Sequence, residues 1–224
     1  DAQNRVWVSS SYNNKLTVFP GDAPDQAKTI EVNLGGRGVA VDSTGHVWIA
    51  QQSNSPQGAL PPGAKMPPNI PANAPQPKTI MEEFEAGAEY LLTNPNITQT
   101  GMVGLISPDM KVVQQNIAKG TAYIPWGVSV DGNDNVWVGN LYGQSLTHIC
   151  GVNPANCPEG KTTGDVIHNY QSGVIQMTTD VIVDDAGNLW SANNWFDGEV
   201  VINPTYQGRT STFGGGQGFV ATYG

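Results

Sequence analysis

The chain has 224 residues, 38% of them hydrophobic and only 13% charged, against about 25% charged in an ordinary globular domain. A net charge of −9 with no basic stripe excludes nucleic acid and anionic membrane surfaces as partners, because nothing would displace counterions from phosphates. No apolar run reaches the roughly 20 residues that cross a bilayer, and 27 glycines with 16 prolines favour many tight turns over long helices.

Taken in chain order, the sequence repeats one pattern. Asp1-Ala-Gln-Asn-Arg-Val-Trp7 opens it, and Asp42-Ser-Thr-Gly-His-Val-Trp48, Asp131-Gly-Asn-Asp-Asn-Val-Trp137 and Asp184-Asp-Ala-Gly-Asn-Leu-Trp190 follow. Each places Trp six residues after Asp, with a turn-forming residue three after it. An apolar strand precedes the last three, at Val39–Val41, Val128–Val130 and Val181–Val183. The pattern predicts a β-hairpin: Asp bonds nearby amides, Gly or Asn accepts φ > 0, and the aliphatic and Trp begin the return strand. Third strands are expected at Leu16–Phe19, Met102–Ile106, Ser145–Ile149 and Glu199–Ile202. Fourth strands are expected at Thr29–Val32, Lys111–Gln114 and Val166–Tyr170. Four short antiparallel strands per unit of about 40 residues describe a propeller blade.

The expected fold is therefore all-β: a single β-propeller domain over 1–224 with about four blades. Asp1 and Asp42 stand 41 residues apart, a bare blade, whereas Asp42 and Asp131 stand 89 apart. The excess is an insertion, 53–100. Its first part, Ser53–Pro77, is rich in Pro, Ala, Asn and Gln and reads as an extended loop. Thr79–Leu92 reads as the one helix, with Thr79 and Glu82 as a capping box and Ile80, Phe84, Ala88 and Leu91 on one face. Asn96-Ile-Thr98 is a glycosylation sequon in a eukaryotic secretory route.

Asp1 sits at the turn between first and second strands, so the first blade lacks its innermost strand in this sequence. Two readings stand. Gly215-Gly-Gln-Gly-Phe-Val-Ala221 resembles Gly35-Gly-Arg-Gly-Val-Ala-Val41 and would supply that strand, closing a four-bladed ring. Alternatively Phe219–Tyr223 is the third strand of the last blade and the chain is part of a larger propeller.

Cys150 and Cys157, the only cysteines, lie too far from further ligands for a metal site and read as a disulfide closing a small loop. That points to an oxidising compartment, secreted or periplasmic.

The unit of apolar strand, Asp-x-x-Gly-Asn-Val-Trp, small residue and Asn resembles an NHL-type repeat. Val128-Ser-Val-Asp-Gly-Asn-Asp-Asn-Val-Trp-Val-Gly-Asn140, after Pro125-Trp-Gly127, is most similar to the branch that contains the streptogramin (virginiamycin B) lyases. The resemblance covers all four repeats and not the insertion. It implies a propeller and, in the lyases, a magnesium-assisted elimination that opens a cyclic peptide antibiotic, carried by His and Glu on one face of the ring. They occupy the turn before a blade's first strand and the end of its second strand. Here the turn positions hold Arg37, Trp126 and Thr179. Three past each Trp stand Ser10, Gln51, Asn140 and Asn193, and five past stand Tyr12, Ser53, Tyr142 and Trp195. None is His or Glu, so no general base stands where that chemistry needs one.

Other constellations read as structure. His148 and His168 fall on adjacent strands and with Asp165 form a weak metal candidate; the repeated aspartates are turn residues rather than a calcium loop. Glu82, Glu83, Glu85 and Glu89 are a solvated helix face, and the repeated Trp residues pack between blades. One group points to a ligand. Arg37, Gln51, Trp126, Asn140, Tyr142, Thr179, Asn193 and Trp195 are expected to gather near the central channel, where rings offer flat contact and amides offer fixed donors and acceptors. The sequence thus reads as a non-catalytic binding or structural module without a cofactor. Its expected partners are a small polar ligand, sugar or peptide at that face, and other copies through open blade edges. The alternative is a lyase-like or lactonase-like enzyme whose catalytic residues lie on further blades.

Overall fold

The computed structural model describes residues 1–10, 14–52, 101–141, 145–171, 175, 178–193 and 217–222, the last six and Asn193 by their backbone alone. They form four antiparallel sheets, each built from strands in chain order. Sheet 1 holds β1 (Arg5–Ser9), β2 (Lys15–Pro20) and β3 (Lys28–Glu31). Sheet 2 holds β4 (Gly36–Val41), β5 (Val47–Gln51), β6 (Met102–Ile106) and β7 (Val112–Ile117). Sheet 3 holds β8 (Pro125–Val130), β9 (Val136–Asn140), β10 (Ser145–Ile149) and β11 (Val166–Gln171). Sheet 4 holds β12 (Thr178–Val183), β13 (Asn188–Asn193) and β14 (Gln217–Thr222). The first strands β4, β8 and β12 lie side by side, and β1 packs against β4. That is the radial arrangement of a propeller, not two sheets face to face.

The repeated motif builds each hairpin through one carboxylate. In every repeat Asp Oδ1 accepts the amides two and four residues on: Gln3 and Arg5 at Asp1, Thr44 and His46 at Asp42, Asn133 and Asn135 at Asp131, Ala186 and Asn188 at Asp184. Oδ2 accepts the indole Nε1–H of the Trp six residues on, at 2.7, 3.1, 3.0 and 2.9 Å in the four repeats. The turn residue takes a left-handed backbone, as Asn4 (φ 55°), Gly45 (84°), Asp134 (59°) and Gly187 (82°), which these residue types tolerate.

Strand alternation puts the Trp on one face and its two neighbours on the other. The Trp of each of the first three sheets packs onto the neighbours' face of the following sheet. Trp7 joins Val47 and Ile49, Trp48 joins Val136 and Val138, and Trp137 joins Leu189. Three such cores join the four sheets in sequence. Polar clasps reinforce them: Arg5 Nη1 donates to the Pro108 carbonyl at 2.7 Å, and Ser43 donates its amide (2.9 Å) and hydroxyl to the Asp134 carboxylate.

Of the two readings of the C-terminus the structure shows the third strand, and one strand assignment needs revision. β14 pairs with β13 along its whole length, Asn188 opposite Thr222 through Asn193 opposite Gln217. The C-terminal segment is therefore the third strand of the last sheet, not a strand closing a ring beside β1. It takes the place assigned by sequence to Glu199–Ile202, which lies outside the described residues, as do the Thr79–Leu92 helix, Asn96 and the rest of 53–100. Cys150 and Cys157 stand at disulfide distance, with Cα atoms 5.6 Å apart. No helix among the described residues is long and apolar enough to cross a membrane. Both facts are compatible with an oxidising compartment.

Candidate functional site

A β-bulge interrupts each inner strand at the same place. The pairing of β4 with β5 jumps between Gly36 and Val39, that of β8 with β9 between Pro125 and Val128, and that of β12 with β13 between Thr178 and Asp180. Each jump sets two residues against one, so Arg37, Trp126 and Thr179 stand on the bulged backbone. Bulges re-aim side chains out of the regular alternation and recur beside binding sites. The extra residue needs room between adjacent inner strands, and glycine supplies it. A Cβ on Gly38 would stand 2.5 Å from the Trp126 carbonyl oxygen, and one on Gly127 would stand 2.6 Å from the Asp180 Cα.

The bulges of sheets 2 and 3 bring two of the sequence-derived residues together. The Arg37 guanidinium lies over the Trp126 ring, 4.2 Å from its centroid, a cation–π contact. Neither side chain is fully buried. Arg37 is anchored from two sides: Ser9 Oγ donates to its carbonyl at 2.6 Å, and its Nε donates to Gln52 Oε1 at 3.3 Å. Gln52 Nε2 in turn donates to the Pro125 carbonyl at 3.1 Å, tying sheet 2 to the bulge of sheet 3. Sequence reasoning missed Gln52; the corresponding position four past Trp137 is Leu141, so no repeating signal marks it.

Gln51 and Asn140 lie elsewhere than at the open face. Both are fully buried, on the strand face that carries Val47 and Ile49 or Val136 and Val138 into the preceding sheet. Gln51 Nε2 donates to the Leu34 carbonyl at 3.1 Å. Asn140 Nδ2 donates to Ser145 Oγ at 2.9 Å and Thr147 Oγ1 at 2.8 Å, and Thr147 passes the chain on to Asn169. Gln51 Oε1, Asn140 Oδ1 and both amide atoms of Gln115 are buried without a protein partner. Gln51 stands opposite Gly36 and Asn140 opposite Pro125, each beside a bulge, whereas Gln115 lies on the outer strand β7. Thr179 is half-buried on the third bulge, and the Asn193 backbone pairs with Thr178. Tyr142 and Trp195 lie outside the described residues.

His148 and His168 face each other across β10 and β11, as their spacing suggested, and both belong to an aromatic ladder. The Trp137 and His148 rings stack with centroids 3.9 Å apart, and His168 meets Tyr170 edge-on at 4.3 Å. His148 Nε2 lies 3.4 Å from Asp131 Oδ2. Burial pushes the Asp131 carboxyl up, but His148, Trp137 and the turn amides outweigh it and hold the group below the ordinary aspartate range. No group of three His, Cys, Asp or Glu that could hold a metal ion occurs among the described residues. The bulge face is also wrong for a magnesium site: it presents a guanidinium on an indole where a divalent cation would need hard oxygen ligands. No metal-assisted step is derived for this chain.

The fold is that of known β-propellers. A streptogramin B lyase superposes with a TM-score of 0.52 at 14% identity, over 87% of this chain and 46% of its own. A virginiamycin B lyase from Staphylococcus aureus, solved with quinupristin, gives 0.51 at 12% identity, over 87% and 47%. A gluconolactonase from Xanthomonas campestris gives 0.51 at 17% identity, over 87% and 54%. This chain spans about half the length of these proteins. No family model and no curated protein matches its sequence. Likeness at such identity carries the fold and leaves activity to the site.

Proposed function

We propose that the chain is a non-catalytic binding module that takes a small polar ligand, such as a sugar or a short peptide, at the bulge face of sheets 2 and 3. The observation that carries this is the Arg37 guanidinium held over Trp126. A guanidinium stacked on an indole makes a flat, rigid, cationic platform that suits a carboxylate or carbonyl. Gln52 and Ser9 fix Arg37 in advance, so less ordering entropy is lost on binding. Gln51 and Asn140 pair beside the two bulges, and Thr179, on the neighbouring bulge, extends the face. Arg37, Trp126 and Thr179 include neither an imidazole nor a carboxylate to carry a proton, and the carboxylate beside them on the third bulge, Asp180, accepts the Val181 amide at 2.9 Å.

A screen of monosaccharides, oligosaccharides, dipeptides and small carboxylates by tryptophan fluorescence tests this. R37A and W126A should each weaken any hit by at least about tenfold, or 1.4 kcal/mol. A screen without hits, or hits indifferent to both substitutions, defeats the proposal. The second reading is an enzyme of the lyase or lactonase kind, favoured by the likeness to those folds. It predicts turnover of a streptogramin or a lactone that depends on a His or Glu.

A further inference from the structure

Sheets 2 and 3 carry the same polar ladder with one residue changed. In sheet 3, Asn140 stands three residues after Trp137, and its Nδ2 donates to Thr147 Oγ1 at 2.8 Å. Thr147 lies between Val138 and Asn169 in register, and its hydroxyl donates to Asn169 Oδ1 at 2.9 Å. One hydroxyl thus joins the second strand of the sheet to the fourth. In sheet 2 the corresponding residues are Gln51, three after Trp48, and Gly104, which lies opposite Ile49 as Thr147 lies opposite Val138. The pairing of β6 with β7 jumps between Val103 and Leu105, setting Gln115 and Asn116 against Gly104. Glycine brings no hydroxyl, and the amides on either side of it have no protein partner at Gln51 Oε1, Gln115 Nε2 and Gln115 Oε1, all three buried.

We infer that one buried water binds over Gly104, between Gln51 Oε1 and the Gln115 amide, in the place that the Thr147 hydroxyl takes in sheet 3. The two amides converge there. A Cβ built on Gly104 would stand 3.0 Å from Gln51 Oε1 and 3.3 Å from Gln115 Nε2, so both atoms border one point, and polar atoms so placed can share a bridging water. The chemistry selects water. Gln51 Nε2 is committed to the Leu34 carbonyl, so Gln51 Oε1 needs a donor, while the Gln115 amide offers both a donor and an acceptor. One water meets both by donating to Gln51 and accepting from Gln115, and buried amides left unpaired would destabilise the fold. Ile49 explains why the residue is glycine. Its Cγ2 would come within 3.0 Å of the same Cβ, whereas the threonine of sheet 3 faces the smaller Val138. The larger aliphatic takes the room of a side chain, and the bonds of the hydroxyl pass to water. A polar chain then runs from the Leu34 carbonyl through Gln51 to the outer strand β7.

Cross-relaxation NMR of the 224-residue chain reads a held water directly. The side-chain amide protons of Gln51 and Gln115 should give rotating-frame Overhauser peaks at the water frequency, opposite in sign to chemical exchange. I49V should keep both peaks. I49V/G104T transplants the Val138–Thr147 pair into sheet 2, supplies the hydroxyl from the protein, and should lose them. Should that variant fail to fold, Q115M keeps the side-chain length, removes the second partner of the water, and should lose the peak at the Gln51 amide. A wild type without water peaks, or peaks that persist in I49V/G104T or Q115M, would overturn the inference. So would a crystal structure in which Gln51 Oε1 accepts directly from Gln115 Nε2.

Discussion

A single aspartate closes each hairpin because one carboxylate has lone pairs for both the turn and the Trp. Oδ1 takes two backbone amides that the tight turn leaves unpaired, and Oδ2 takes the indole that would otherwise be buried unsatisfied. The cost of removing it depends on burial. Asp42 is almost fully buried and holds the wholly enclosed Trp48, so D42A should lower unfolding free energy by about 3 kcal/mol in denaturant titrations. D184A, whose indole partner Trp190 is 44% exposed, should cost less. Asp184 reads the same contact as a titration. Its pKa is held down at about 2 by the Trp190 indole first, then by the Asn188 side chain and amide. A depressed carboxyl stabilises the folded state above its unfolded pKa, and that contribution is lost as pH falls through the folded one. Acid should therefore loosen sheet 4 between the ordinary aspartate value and about 2. In W190F the Asp184 midpoint, followed by carboxyl carbon NMR, should move up. An unchanged midpoint would show that the indole does not set it.

At the scale of the element, the inner strand carries both the fold's tightest contact and the proposed site. The bulge turns Arg37 and Trp126 out of the pleat, and the glycine after each lets the adjacent inner strand approach. G127A would drive a methyl into the backbone at Asp180 and Val181 and part sheets 3 and 4, at a cost of about 2 kcal/mol. G132A, where nothing lies within 4 Å of the added carbon, should change stability by less than about 0.5 kcal/mol. Equal effects in thermal unfolding would refute the close-approach argument. The sequence showed the hairpins because Asp, turn residue and Trp recur at fixed spacing, and it placed most strands within a residue or two. It did not show the bulges, since a register jump leaves no mark on the alternation of one strand. Nor did it show that Gln51 and Asn140 are enclosed. Three past the Trp is an odd step, so alternation puts both on the face of Val47 or Val136, inside an inter-sheet core. Parity alone could have buried them. Gln52 had no counterpart in the next repeat and was invisible.

Across the molecule, the described sheets form a nearly one-dimensional array in which neighbours join through one Trp core. Stability in such arrays is close to a sum of unit and interface contributions. Sheets 2 and 3 have an interface on each side. Their second strands are wholly buried, residue by residue, in β5 and β9. Among the described residues sheet 1 has one interface, and its β1 alternates between half-buried and exposed. Sheet 4 likewise ends on exposed Ile182 and Trp190. Local opening should follow this order. Native-state hydrogen exchange should find β5, β6, β9 and β10 slowest, with β1, β12 and β13 exchanging by cheaper openings that leave the centre intact. Uniform protection would mean that the sheets unfold as one unit, and the additive picture would fail.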